Sequence, residues 1–172
     1  MQNASIYNPF AVDISKAKSD ALVWKSYNHK VSVLPESIKD VLILPETTEF
    51  FMDLAIKLNL SEEQSADLSR IVRDILIGDM FIGDFQNNLM EKMHTDESSA
   101  ENIKNLIISE LFKKAIEDIK REQYKSFPNR IRPASSESLI SSPNVSRPPV
   151  SNSQASPPPN ISQNNTVDLR NK

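Results

Sequence analysis

Ser61-Glu62-Glu63-Gln64-Ser65-Ala66-Asp67-Leu68-Ser69-Arg70-Ile71-Val72-Arg73-Asp74-Ile75-Leu76-Ile77-Gly78 carries the start, the buried face and the stop of one helix. Ser61 and Gln64 stand three apart. At that spacing a serine hydroxyl accepts from the third helical N–H while the glutamine side chain reaches back to the serine backbone. Glu62 and Glu63 put negative charge at the positive end of the helix dipole. Leu68, Ile71, Val72, Ile75 and Leu76 recur at intervals of one, three and four, so they share a face. Gly78 follows immediately as a natural stop. A helix of this length with one apolar stripe holds only by burying that stripe against other elements. The stretch therefore predicts an all-α fold.

Toward the N-terminus the same grammar continues. Asn59 closes a preceding helix whose stripe is Phe51, Leu54, Ala55 and Leu58. Pro45 opens that helix and interrupts a shorter one, in which Ile38, Val41 and Leu42 share a face after Pro35. Residues 1–33 are the poorly defined part. Ile14 to Trp24 allows a short helix packed on the body, with Ala17, Ala21 and Trp24 spaced by four and three; Val31-Ser32-Val33 alternates as an extended segment would.

Toward the C-terminus, Met80 to Met93 predicts a helix with Phe81 or Ile82, Phe85, Leu89 and Met93 about one turn apart. Gly83 sits early in it, where glycine costs roughly 1 kcal/mol against alanine. Ser98 and Glu101 form a second capping box. Behind it Ile103, Ile107, Ile108, Leu111, Phe112, Ala115 and Ile119 sustain one long amphipathic helix, with Lys113, Glu117 and Arg121 four apart as ion pairs. It ends near Tyr124 to Phe127, because the residue before Pro128 is pushed out of helical geometry. The expected body is thus a compact bundle of four to five short helices over 34–127.

From Pro128 to Lys172 the chain holds eight prolines, ten serines and seven asparagines. Too little there can be buried to offset the entropy of ordering, so a disordered Pro/Ser/Asn-rich tail is expected over 128–172. Arg147-Pro148-Pro149-Val150 lacks a full two-proline recognition register.

Charge divides at the same place. The net charge is −3. Beyond Phe127, Arg130, Arg132, Arg147, Arg170 and Lys172 outweigh Glu137 and Asp168 to give +3, which leaves −6 for the body. An acidic body is a poor partner for phosphate backbones. The absence of cysteine removes disulfides, thiolate nucleophiles and cysteine-ligated zinc, and fits a cytoplasmic location. Met1 to Phe10 has neither the basic opening nor the apolar run of a secretory signal, and no apolar run approaches the ~20 residues of a membrane span.

The chemical candidates are thin. Ile77-Gly78-Asp79 echoes as Ile82-Gly83-Asp84, with Asp74 at the same interval of five. Five helical residues turn about 140° past one revolution, so the three acids diverge on a continuous helix. Glu91 and His94 have Glu-x-x-His spacing, but bundle metal sites need a second such pair and inward glutamates. His29 sits outside that pattern. No serine sits in a nucleophile turn, and two glycines cannot make a phosphate loop. No catalytic residue, metal ligand or cofactor site is therefore expected.

The reading is a protein–protein interaction or assembly adaptor module without catalytic activity, acting on another protein or on a second copy of itself. Its partner surface is expected at Trp24 and Tyr27, and where the 80s and 100s helices meet, at Phe81, Phe85, Phe112 and Ile116. Core-like periodicity makes the latter four equally compatible with the interior. One alternative is a helical nucleic-acid-binding protein using Lys113, Lys114, Lys120, Arg121, Lys125, Arg130 and Arg132. The other is a small enzyme or metal-binding helical protein.

Overall fold

The computed structural model describes residues 4–130, all within one compact unit, and every regular element among them is helical. Eight α-helices occur among these residues, more than the four or five expected: α1 (Ile14–Lys18), α2 (Ala21–Ser32), α3 (Glu36–Ile43), α4 (Pro45–Leu58), α5 (Glu62–Leu76), α6 (Phe85–Met93), α7 (Glu97–Leu106) and α8 (Ile116–Ser126). The disorder expected for the tail concerns, from residue 131 onward, a stretch outside the described residues.

Helix α5 is the centre, as its sequence required. The Gln64 N–H donates to Ser61 Oγ at 3.1 Å, and the Ser61 N–H donates to Gln64 Oε1 at 3.0 Å. Leu68, Ile71, Val72, Ile75 and Leu76 are all buried, against α6 on one side and α3 and α4 on the other. Phe51, Phe85 and Phe112 fill the interior around them, each contributing about 1.5–3 kcal/mol by leaving water. Pro45 occupies the first turn of α4, and Asn59 closes it at φ 50. Gly78 is the stop expected after α5, and it adopts the left-handed φ of 75.

The additional helices come from breaks that periodicity conceals. Asp20 is extended and its carboxylate accepts from Leu22 N–H (2.8 Å) and Val23 N–H (3.2 Å), which starts α2 and splits the 14–24 segment in two. Helix α2 then runs through Val31 and Ser32, so these residues are not extended; Val31 is buried in the core.

Met80 to Met93 is not one helix. Phe81 is extended, a 3-10 turn spans Ile82–Asp84, and α6 begins at Phe85. A Cβ on Gly83 would meet the Phe81 ring at 2.3 Å, so this glycine makes room for an aromatic ring.

The second capping box also forms differently. Asp96, not Ser98, caps α7, accepting from the Ser99 N–H at 3.0 Å and from its hydroxyl at 2.6 Å. A carboxylate two residues upstream of Ser98 caps the helix through Ser99 and so starts it earlier.

The expected long helix breaks as well. Ile103, Ile107, Phe112, Ala115 and Ile119 are all buried, but Ile107 and Phe112 lie five apart and would diverge by about 140° on an α-helix. A π-turn over Ile107–Leu111 closes with Phe112 N–H to Ile107 C=O at 2.9 Å and returns Phe112 to the core. Because α8 begins only at Ile116, Lys113 lies outside it. The ion pairs are instead Glu117–Lys120 (2.7 Å), Asp118–Arg121 (3.0 Å) and Glu122–Lys125 (2.7 Å).

Candidate functional site

Trp24 and Tyr27 lie together on α2, ring centroids 6.1 Å apart, with Lys18 Nζ 5.2 Å from the Trp24 ring. Tyr27 stacks obliquely on Phe10 at 5.6 Å and donates its hydroxyl to the Phe10 carbonyl at 3.2 Å. Burial pushes the Tyr27 phenol up to about 12; the Arg73 guanidinium pulls it down and Asp74 adds to the rise. Tyr27 thus lines a cleft of about 440 Å³ between α1, α2 and the end of α5, with Phe10, Val12, Val23 and Ile77 as its apolar walls.

Most charges of that cleft are consumed by the fold; Lys16, exposed on its wall, makes no ion pair among the described residues. Asp13, held at φ 63, accepts from Arg70 Nε (2.8 Å) and Nη2 (2.9 Å), with Arg73 Nη1 at 3.5 Å. The Arg70 fork holds the Asp13 carboxyl below the ordinary carboxylate range, against an opposing contribution from burial. Arg73 also pairs with Asp74 at 2.9 Å, Lys30 pairs with Asp79, and Asp20 caps α2. These contacts form a seam joining residues 4–33 to α5. Ser69 adds to it by donating to the Ile6 carbonyl at 2.7 Å.

The other expected surface residues do not gather. Phe85 and Phe112 are fully buried and stack at 6.4 Å inside the core, which removes them from any exposed face. Phe81 is half-buried under the Phe127 ring (5.6 Å) and the Arg130 guanidinium (4.4 Å), while Arg130 also pairs with Asp84. Ile116 packs half-buried against the core.

Asp74, Asp79 and Asp84 each meet a different cation, Arg73, Lys30 and Arg130. Among the described residues no group of three or more His, Asp or Glu is arranged to hold a metal ion. His94 is exposed and caps α6 in the left-handed region at φ 53, and Glu91 is exposed on the turn before it.

The basic residues are similarly dispersed. Lys120, Arg121, Lys125 and Arg130 are each engaged by a carboxylate; Lys113 and Lys114 are exposed, and Arg132 lies outside the described residues. Among the described residues no helix is long and apolar enough to cross a membrane.

A second cleft, of about 350 Å³, has the opposite character. It lies between the α3–α4 elbow and the π-turn. Its floor is Val41, Thr47, Phe50 and Leu111; its rim is Ser37, Asp40, Glu46, Glu110 and Lys114.

Local sequence builds both walls. The residue before a proline is driven from helical geometry, and Leu44, preceding Pro45, sits at φ −63 and ψ 143. The elbow leaves Ile43 49% and Leu44 43% exposed side by side. Across from it, the π-turn that returns Phe112 to the core places Glu110 and Leu111 in the cleft wall.

Asp40, Glu46, Glu110 and Lys114 make no ion pair among the described residues. Ser37 donates to Asp118, which is itself held by Arg121, so a fourth carboxylate borders this end. Sequence reasoning found Pro45 and placed Val41 on a helical face. It missed the cleft because the π-turn has no signature in periodicity, and because exposure of Ile43 and Leu44 depends on what lies across from them.

No family model, curated protein or solved structure matches this chain.

Proposed function

We propose that this chain is a non-catalytic helical module that binds another protein, and that the cleft at the Leu44–Pro45 elbow is its docking surface. One observation carries the reading. Leu44, 43% exposed, lines a cleft with an apolar floor whose bordering carboxylates Asp40, Glu46 and Glu110 have no cation partner among the described residues. Apolar surface rimmed by polar groups is the usual composition of a recognition patch. The larger cleft beside Tyr27 is less suited, because most of its charges (Asp13, Arg73, Asp74 and Asp79) are already paired in holding the fold together. Leu22 and Val23, 79% and 50% exposed, line a neighbouring cleft that shares Val23, Tyr27 and Asp79 with it, and this side of α2 is the competing surface.

Selection of displayed random 16-residue peptides on the full chain tests the reading. Selected peptides are expected to protect backbone amides at 40–50 and 107–114 from exchange, and to lose binding to Leu44→Asp, which is exposed and leaves the fold intact. Protection centred on 12–30, or unchanged binding to Leu44→Asp, overturns it.

A further inference from the structure

We infer that the occupant of the elbow cleft is a cationic amphipathic α-helix of a partner protein, carrying aliphatic residues at i, i+3 or i+4, and i+7 with lysine or arginine beside them. This rests on the docking reading above and names the chemistry that the cleft selects.

Backbone accounting comes first. Every regular element among the described residues is a helix, so no strand edge there offers a row of main-chain donors and acceptors to an incoming segment. A peptide entering extended would lay its N–H and C=O groups on Val41, Phe50 and Leu111 without partners. A helix arrives with those groups already paired, and presents only side chains to the floor. Proline-rich segments avoid the same difficulty but dock in grooves lined by several aromatic rings, whereas Phe50 is the one aromatic residue lining this cleft.

Charge comes second. The cleft border carries Asp40, Glu46 and Glu110 against Lys114 alone. The outer positions of α4 add Glu49 and Asp53, both exposed. Such a rim steers cations inward and repels an acidic helix of equal hydrophobicity. Lys114 sets the one place where an acidic residue on the partner is favoured.

The probe is an 18-residue Leu/Lys peptide with leucines at helical spacing, titrated into the full chain at 0.15 M salt and followed by calorimetry and circular dichroism. Two further peptides accompany it, one with two central prolines in place of leucines and one with glutamate for every lysine. Two triple variants isolate the rim. Asp40→Asn/Glu46→Gln/Glu110→Gln removes it, and Glu91→Gln/Glu97→Gln/Glu101→Gln removes the same charge from exposed sites elsewhere.

The Leu/Lys peptide is expected to bind and become helical, with the proline and glutamate peptides failing to bind. The rim triple is expected to weaken binding about tenfold, and the distant triple less than about twofold. Equal weakening by both triples would mean attraction to overall charge and overturns the inference, as does binding of the proline peptide or no binding of the helical one. If displayed peptides still map to the cleft while the Leu/Lys peptide fails, the docking surface stands and the helix assignment falls.

Discussion

Asp13 occupies a left-handed backbone position that aspartate and asparagine both tolerate, so Asp13→Asn removes charge with little change in backbone preference. The wild-type carboxylate takes both arms of the Arg70 guanidinium, a geometry stronger than that of an ordinary surface pair. The site is about one-third exposed, which screens the gain. The variant is expected to lose about 1 kcal/mol at pH 7 in urea unfolding. Because the folded pKa is depressed, this stabilisation is complete above the unfolded value near ~3.9 and disappears as pH falls through the lower folded value. Wild type and variant should therefore converge near pH 2. A gap that persists there would assign the loss to packing.

At the scale of elements, two residues govern how α5 ends and the chain turns toward α6. Gly78 holds φ 75, and a Cβ there would lie 2.5 Å from Ser126 Oγ on α8. Gly78→Ala is expected to cost about 2 kcal/mol, of which about 1 kcal/mol persists in a Gly78→Ala/Ser126→Ala double variant, since only the collision is relieved. Equal melts for the single and double variants would remove Ser126 from the account. Gln123 of α8 is fully buried; its amide donates to the Ile75 and Met80 carbonyls at 3.0 Å each and accepts from the Ile82 N–H at 2.9 Å. Gln123→Leu fills similar space but strands the Met80 carbonyl and the Ile82 N–H, while the Ile75 carbonyl keeps the Gly78 N–H, and a loss of roughly 2–4 kcal/mol is expected in thermal unfolding. Nothing in the sequence marked Gln123, because a glutamine in a charged helix looks like any solvated residue until the Ile75 and Met80 carbonyls and the Ile82 N–H converge on it. Asp20 and Asp96 were readable as caps in principle, yet each lay beside a pattern that pointed elsewhere, a helical spacing across residues 17–24 and a nearer Ser98/Glu101 box.

For the molecule as a whole, residues 4–33 are part of the core's closure. Tyr7, Val12 and Val31 are buried, and the seam through Asp13–Arg70 and Ser69–Ile6 holds them against α5. A chain beginning at residue 34 is expected to unfold at lower urea with an m-value reduced by about a fifth, in proportion to the surface no longer buried. An unchanged midpoint would show that this segment docks without stabilising. The sequence alone determined that the body is helical, where α5 begins and ends, and that Pro45 breaks the chain into an elbow. Those outcomes follow from capping chemistry, dihedral limits and the period of apolar residues, all of which act over a few neighbours. Tertiary structure decided that Phe85 and Phe112 are interior, that the expected long C-terminal helix breaks through a π-turn at 107–111 that keeps Phe112 there, and that Asp40, Glu46 and Glu110 meet around one apolar cleft. Those outcomes depend on which distant side chains compete for the same space and charge, a quantity that no local spacing contains.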